Sequence, residues 1–132
     1  MLAAMLDANL CIRVLRDRPG GLRERFKAEA RNLAISTIVL HELYYGAERS
    51  DRPQVQRNKV GDFAAHISVL DFDSTAASQA AIIKANLAAA GQLIGPNDLL
   101  IAGHARSLGL KLITGNLKEF TRVEGLLCED WL

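Results

Sequence analysis

The sequence is poor in cysteine, aromatic residues and net charge. Cys11 and Cys128 are the only cysteines, so no disulfide framework of the small secreted kind exists, and reduced cytoplasmic thiols are expected. Aromatic residues make up 5%, too few for a platform that stacks single-stranded bases. The formal charge of 16 − 15 = +1 excludes a polycation that binds nucleic acid by bulk charge alone.

Long apolar segments are also missing. No apolar run approaches the roughly 18 residues of a membrane span. The apolar start, residues 1–6, ends at Asp7; it is too short for a signal-peptide core, and no cleavage pattern follows. We therefore expect a cytoplasmic protein with no membrane association.

What the chain does contain is the composition of an ordinary globular domain. Of its 132 residues, 49% are apolar and 23% are charged, which excludes disordered, collagen-like and coiled-coil chains. This length corresponds to a single domain, residues 1–132, which can bury a core without disulfides.

Short apolar segments alternate with longer helical patterns. The apolar segments predict buried strands of a parallel sheet, at residues 2–6, 33–36, 67–70, 110–113 and, more weakly, 126–128. Helices are predicted at residues 8–16, 21–31, 37–49, 53–65, 74–90 and 96–108. This order predicts an α/β fold, a three-layer α/β/α sandwich with a mostly parallel central sheet.

Positive charge is concentrated in residues 13–31. This stretch holds seven basic and three acidic residues, a net charge of 7 − 3 = +4. It is either the solvated face of surface helices or a rim that contacts phosphates.

Asp7 is the first acidic residue in an unusual place, because it directly follows the first predicted strand. The carboxyl ends of parallel strands open onto the ligand crevice of such folds. Asp7 is therefore a candidate site residue. The alternative is that it only caps the helix that follows.

Glu42 is the second, because it lies on a largely apolar arc of its predicted helix. At 100° per residue its neighbours include Ile38, Val39 and Tyr45. An ionised carboxylate in such surroundings is costly unless something pairs with it. The alternatives are an ion pair with Arg49 or a side chain turned toward water.

Asp98 is the third. Pro96 suits the first position of a helix, which puts Asp98 in the first turn, where a negative charge is favourable. Asp98 nevertheless shares its stripe with Ile101, Ala102 and Ala105, so it is expected to face inward.

Asn116 and Glu119 follow the fourth predicted strand. Asn116 offers a neutral carbonyl oxygen at a strand end, and Glu119 lies one turn later. Either side chain could face the same crevice, and a surface position is the alternative for Glu119.

The combination of acids suggests a chemistry. If the sheet brings Asp7, Glu42 and Asp98 together, each raises the others' pKa unless a cation neutralises them. Oxygen ligands without cysteine or histidine favour Mg²⁺ or Mn²⁺ over Zn²⁺. Such an ion activates water and stabilises phosphate transition states.

Other catalytic motifs are not found. His41-Glu42 lacks the second histidine of a zinc-protease helix, since Tyr45 stands at that position. No glycine-rich phosphate loop and no nucleophile-elbow serine occurs. The acidic residues therefore remain the candidate chemistry.

At four blocks, and over residues 5–131, the chain resembles the PIN domain, and within it the VapC-type ribonuclease toxins of bacterial type II toxin–antitoxin modules. The blocks are residues 5–9 (MLDAN) with Ile12, 36–47 (STIVLHELYYGA), 94–98 (IGPND) with 101–105 (IAGHA), and 113–116 (ITGN) with Glu119-Phe120. The Glu129-Asp130-Trp131 ending is similar to that of enterobacterial members. The four blocks occur in order at the right spacing.

Two positions depart from the family pattern. Ala8 stands where a threonine or serine usually follows the first aspartate, so a hydroxyl that supports the metal shell is missing there. Asn116 stands where many relatives have a fourth aspartate. One ligand charge is thus lost, with Glu119 as a possible replacement.

The resemblance implies a Mg²⁺-dependent endoribonuclease toxin, with Mn²⁺ as a substitute, that cuts RNA, often a tRNA. Asp7 and Asp98 would bind the metal directly, and Glu42 would complete the shell or assist proton transfer. Asn116 and Glu119 would be peripheral. The resemblance further implies a homodimer and a VapB-like antitoxin, for which the apolar surface of the early helices is the expected groove.

The alternative from another class is a non-enzymatic phospho-receiver-like signalling module. It has a similar length and Mg²⁺-binding acids at strand ends. It also needs an acid pair after the first strand and a lysine after the fifth, and this sequence has neither.

Overall fold

A computed structural model describes all residues, Met1–Leu132. Five strands alternate with seven helices. The strands are β1 (Ala4–Leu6), β2 (Leu33–Ser36), β3 (Ser68–Leu70), β4 (Lys111–Ile113) and β5 (Cys128–Glu129). The helices are α1 (Ala8–Arg16), α2 (Leu22–Glu29), α3 (Thr37–Glu48), α4 (Pro53–Ala65), α5 (Ser74–Ala89), α6 (Pro96–Leu108) and α7 (Leu117–Phe120).

The strands form one sheet in the order β3-β2-β1-β4-β5, and every neighbouring pair is parallel. The predicted α/β sandwich is therefore confirmed. The phospho-receiver alternative is wrong, since that class orders its strands 2-1-3-4-5, whereas here β1 lies between β2 and β4. No helix has the length and apolarity needed to cross a bilayer.

The helix boundaries predicted from the sequence agree closely with those of the structure, except near residue 30. The predicted helix 21–31 ends at Glu29 and continues as the 3-10 turn Ala30–Asn32, since a short 3-10 segment commonly tightens the last turn of a helix.

Strands of a parallel sheet that are covered on both faces are mostly apolar, which explains the composition of the central strands. Met5, Ile35 and Leu112 are inaccessible to solvent in three adjacent strands. Since all five strands run the same way, their carboxyl ends share one edge of the sheet. Asp7 and Ser36 lie at this edge and cap α1 and α3, accepting hydrogen bonds from the backbone N–H groups of Leu10 (2.8 Å) and Ile38 (3.1 Å).

Helices α5 and α6 approach closely at Gly103. A Cβ atom there would lie 2.6 Å from the backbone of Ala80, so the helices cannot meet with a larger residue at this position. We expect Gly103→Ala to lower the free energy of unfolding by about 2 kcal/mol, because the helices must separate.

Urea unfolding followed by circular dichroism measures this. Gly61→Ala in α4 is the matched control, since its added Cβ would meet only the Tyr44 hydroxyl at 4.0 Å; alanine there is expected to be neutral or stabilising. Equal stability of the Gly103→Ala protein and wild type would contradict the prediction.

Candidate active site

Asp7 lies at the centre of the sheet edge and is 2% exposed. Its Oδ1 accepts the Leu10 N–H at 2.8 Å and its Oδ2 accepts the hydroxyl of Thr114. Burial raises the pKa of Asp7, and the charges of Glu42 and Asp130 add to the increase, while the two hydrogen bonds oppose it. Asp7 is therefore both a helix cap and a site carboxylate.

Glu42 faces the same region from α3. Its Oε2 is buried and has no hydrogen-bond partner. The predicted alternative of an ion pair with Arg49 does not occur, because the Arg49 guanidinium lies over the Tyr45 ring, 5.3 Å from its centroid. An unpaired buried carboxylate oxygen is costly without a cation or donor, so Glu42 is poised to bind one.

Asp98 lies in the first turn of α6 and is half-buried. Its pKa is raised to about 6, first by burial and then by the negative charges of Glu119, Asp7 and Glu42. The fold thus brings together the three acids predicted from the sequence, closely enough that each of the other two acts on Asp98.

Glu119 and Asn116 connect α7 to the start of α6. The Oε1 atom of Glu119 accepts the Gly95 N–H at 2.8 Å, and its Oε2 atom accepts the side-chain amide of Asn116. Gly95 in turn lies beside Asp98, whose Oδ2 is 3.4 Å from the position of a Cβ at Gly95. Both residues are partly buried and border the candidate site.

Thr114 is a site residue that the sequence analysis missed. It is inaccessible to solvent, and its hydroxyl donates to Asp7 while accepting the Asn116 N–H at 2.8 Å. It supplies from β4 the kind of hydroxyl that Ala8 lacks. Its position directly after a buried strand could have identified Thr114 as a candidate site residue from the sequence.

Asp130 was missed as well. It follows β5 at the same edge, and its charge contributes to the raised pKa of Asp7.

The donor set fits a hard divalent cation, because it consists of carboxylates and one amide, with no histidine or cysteine. The unpaired Oε2 of Glu42 points to the same conclusion. However, no three His, Cys, Asp or Glu side chains lie close enough together in the structure to hold one metal ion.

A groove of about 710 Å³ lies between α1, α2, α3 and α4, and Glu42 is one of its lining residues. Four cations line it, Arg16, Arg18, Arg23 and Lys59, together with the apolar side chains of Ile12, Leu15, Leu43 and Val60. Three of the four cations come from the basic stretch 13–31. That stretch therefore forms the wall of a groove next to the carboxylates and is not merely a solvated face.

The parallel sheet between helices agrees with the α/β sandwich that the resemblance to the PIN domain implies. A family model of the PIN domain matches residues 4–126. The chain belongs to the PIN-domain family.

Within the PIN-domain family, the chain is similar to VapC ribonucleases. The chain is 46% identical over 131 residues to the tRNA(fMet)-specific endonuclease VapC of Shigella flexneri, covering 99% of each protein. It is 43% identical over 132 residues to ribonuclease VapC2 of Haemophilus influenzae, covering all of each. Among solved structures, the DNA-bound VapBC complex of Salmonella typhimurium matches with a TM-score of 0.95 and 45% identity over the full length of both chains.

Proposed function

We propose that residues 1–132 form a single PIN-like domain that acts as a Mg²⁺-dependent endoribonuclease toxin in the cytoplasm, with Mn²⁺ as a substitute ion and tRNA as the principal substrate class. The observation that carries the proposal is the convergence of three mutually repelling carboxylates, one with an unpaired buried oxygen. The choice of RNA as substrate is supported by proteins named as VapC ribonucleases, which are 46% and 43% identical over 99% and 100% of the chain.

In this proposal Asp7 and Asp98 would hold the metal. When bound, the ion supplies Lewis-acid chemistry, lowering the pKa of a water molecule and offsetting the phosphate charge. Thr114 and Leu10 fix the orientation of Asp7 through their hydrogen bonds. Glu42 completes the ligand set or accepts the proton of the attacking water at its free Oε2. Asn116 and Glu119 are peripheral and hold the loops of α6 and α7 together.

The proposed partners are a VapB-like antitoxin and a second copy of the chain. Solved neighbours at 45% and 33% identity are VapBC complexes of Salmonella typhimurium and Rickettsia felis, both bound to DNA. The groove next to Glu42 suits an antitoxin segment, because both apolar and cationic residues line it. An arginine from that segment would satisfy the free carboxylate oxygen of Glu42.

The test is an RNA cleavage assay with the purified protein, a labelled tRNA and Mg²⁺. We expect cleavage at internal positions that leaves 5′-phosphate and 3′-hydroxyl ends, since a water-derived nucleophile attacks phosphorus in line. Mn²⁺ should restore activity after chelation. Undiminished cleavage in excess EDTA would contradict the metal requirement, and an absence of RNA cleavage with either ion would contradict the function.

A further inference from the structure

Arg13 is a cation on α1 that neither the proposed catalytic set nor the groove accounts for. It is half-buried on α1 and does not line the groove. Its Nε donates to the Asn9 side-chain oxygen at 3.3 Å. The same Nε is 3.7 Å from the position that a Cβ of Gly115 would occupy. Arg13 therefore lies against the turn that follows β4.

This turn is part of the site. Thr114, before Gly115, hydrogen-bonds to Asp7, and Asn116, after it, hydrogen-bonds to Glu119. The Arg13 side chain lies at van der Waals distance from this turn at residue 115. Leu132 also lies against this turn, with its Cδ1 3.1 Å from the same Cβ position. Arg13 thus lies against a turn whose two flanking residues, Thr114 and Asn116, hydrogen-bond to Asp7 and Glu119.

No acid neutralises Arg13. The ion pairs of the chain are Arg25–Glu29, Arg57–Glu48 and Lys111–Glu129, and the terminal nitrogens of Arg13 make no hydrogen bond in the structure. An arginine fork is the side chain best suited to a phosphate. The carboxylates at this edge repel a polyanion, so a neighbouring phosphate needs a compensating cation.

We propose that Arg13 binds a backbone phosphate of the RNA next to the phosphate that is cut, on the α1 side of Asp7. The ligand class is an RNA phosphodiester, and the proposal rests on the proposed endoribonuclease function. Arg13 acts here as a binding residue, so its contribution lies in substrate affinity and register and not in proton transfer.

The experiment compares Arg13→Gln and Arg13→Lys with Lys84→Gln, the same loss of charge on an exposed position of α5. Steady-state cleavage of a labelled tRNA gives kcat and KM, and binding is measured by anisotropy in the Asp98→Asn background at several salt concentrations. We expect Arg13→Gln to raise KM and the Kd about tenfold with little change in kcat. The slope of log Kd plotted against the log of the salt concentration should fall by about 0.7 for this variant, the value for one lost phosphate contact on a single strand.

Lysine at position 13 should restore the salt slope and part of the affinity, because it keeps the charge but not the fork. If the Arg13→Gln protein has the same KM and the same salt slope as Lys84→Gln, the proposal for Arg13 is wrong. The proposed endoribonuclease function would be unaffected by that result. A loss of kcat with an unchanged salt slope would also overturn the proposal for Arg13, because that marks a structural effect. Wild type that neither binds nor cleaves RNA would overturn the function itself and this inference with it.

Discussion

Asp98→Asn is expected to abolish RNA cleavage and, at the same time, to raise the thermal stability of the protein. The amide keeps the shape of the side chain but loses the charge with which Asp98 would hold the metal. We expect cleavage to fall by about a thousandfold, ~4 kcal/mol of transition-state stabilisation, because the ion's contribution to phosphate chemistry is of that order.

The gain in stability follows from the raised pKa of Asp98. Folding raises this pKa from 3.8 to about 6. Between those values the folded protein binds more protons than the unfolded chain, so the free energy of unfolding falls as the pH rises through this window. At neutral pH the ionised carboxylate opposes folding, and asparagine removes that cost. Because Asp98 is only half-buried, solvent screens the effect to about 1 kcal/mol, or roughly 4 °C.

Thermal unfolding between pH 4 and pH 7.5 in the presence of EDTA measures this effect. The wild-type Tm should fall across the window more steeply than the Tm of Asp98→Asn, and the two proteins should differ least at pH 4. Asp51→Asn, at an exposed loop position, is the control and should follow wild type. A variant less stable than wild type at pH 7.5, or one that retains a tenth of the cleavage rate, would contradict the assignment.

The main elements and three site acids were predictable because their signals are local. The apolar run before Asp7 identifies a strand end, Pro96 and Asp98 mark the first turn of a helix, and the neighbours of Glu42 follow from helical periodicity. Each of these inferences uses fewer than ten consecutive residues, and in the structure the charges of Asp7 and Glu42 both act on Asp98.

The support of the site could not be predicted, because it depends on contacts between distant segments. Thr114 meets Asp7 only because β4 pairs with β1 in parallel register, with Leu6 opposite Ile113. The bond from Gly95 to Glu119 likewise depends on where α7 lies relative to α6. Arg49 could have neutralised Glu42 by spacing alone, and only the structure shows it engaged with Tyr45 instead.

Thr114→Val should reduce RNA cleavage by about 10- to 100-fold at low Mg²⁺, the usual cost of losing a residue that orients a metal ligand. Valine has nearly the same shape but can neither donate to Asp7 nor accept the Asn116 N–H. The hydrogen bond from Thr114 lowers the pKa of Asp7, so without it this pKa rises further and the carboxylate is a weaker ligand. The acid limb of the pH–activity profile should therefore move to higher pH.

A positioning role and a merely structural role for Thr114 differ in their response to Mg²⁺. If the hydroxyl orients Asp7, more Mg²⁺ should recover much of the activity, and the Mg²⁺ concentration for half-maximal cleavage should rise about tenfold or more. Thr114→Ser keeps the hydroxyl and should remain close to wild type, and Thr75→Val, at an exposed position of α5, controls for the substitution itself. Activity lost equally at all Mg²⁺ concentrations, with no shift in the pH profile, would instead mean that Thr114 only maintains the packing beneath the site.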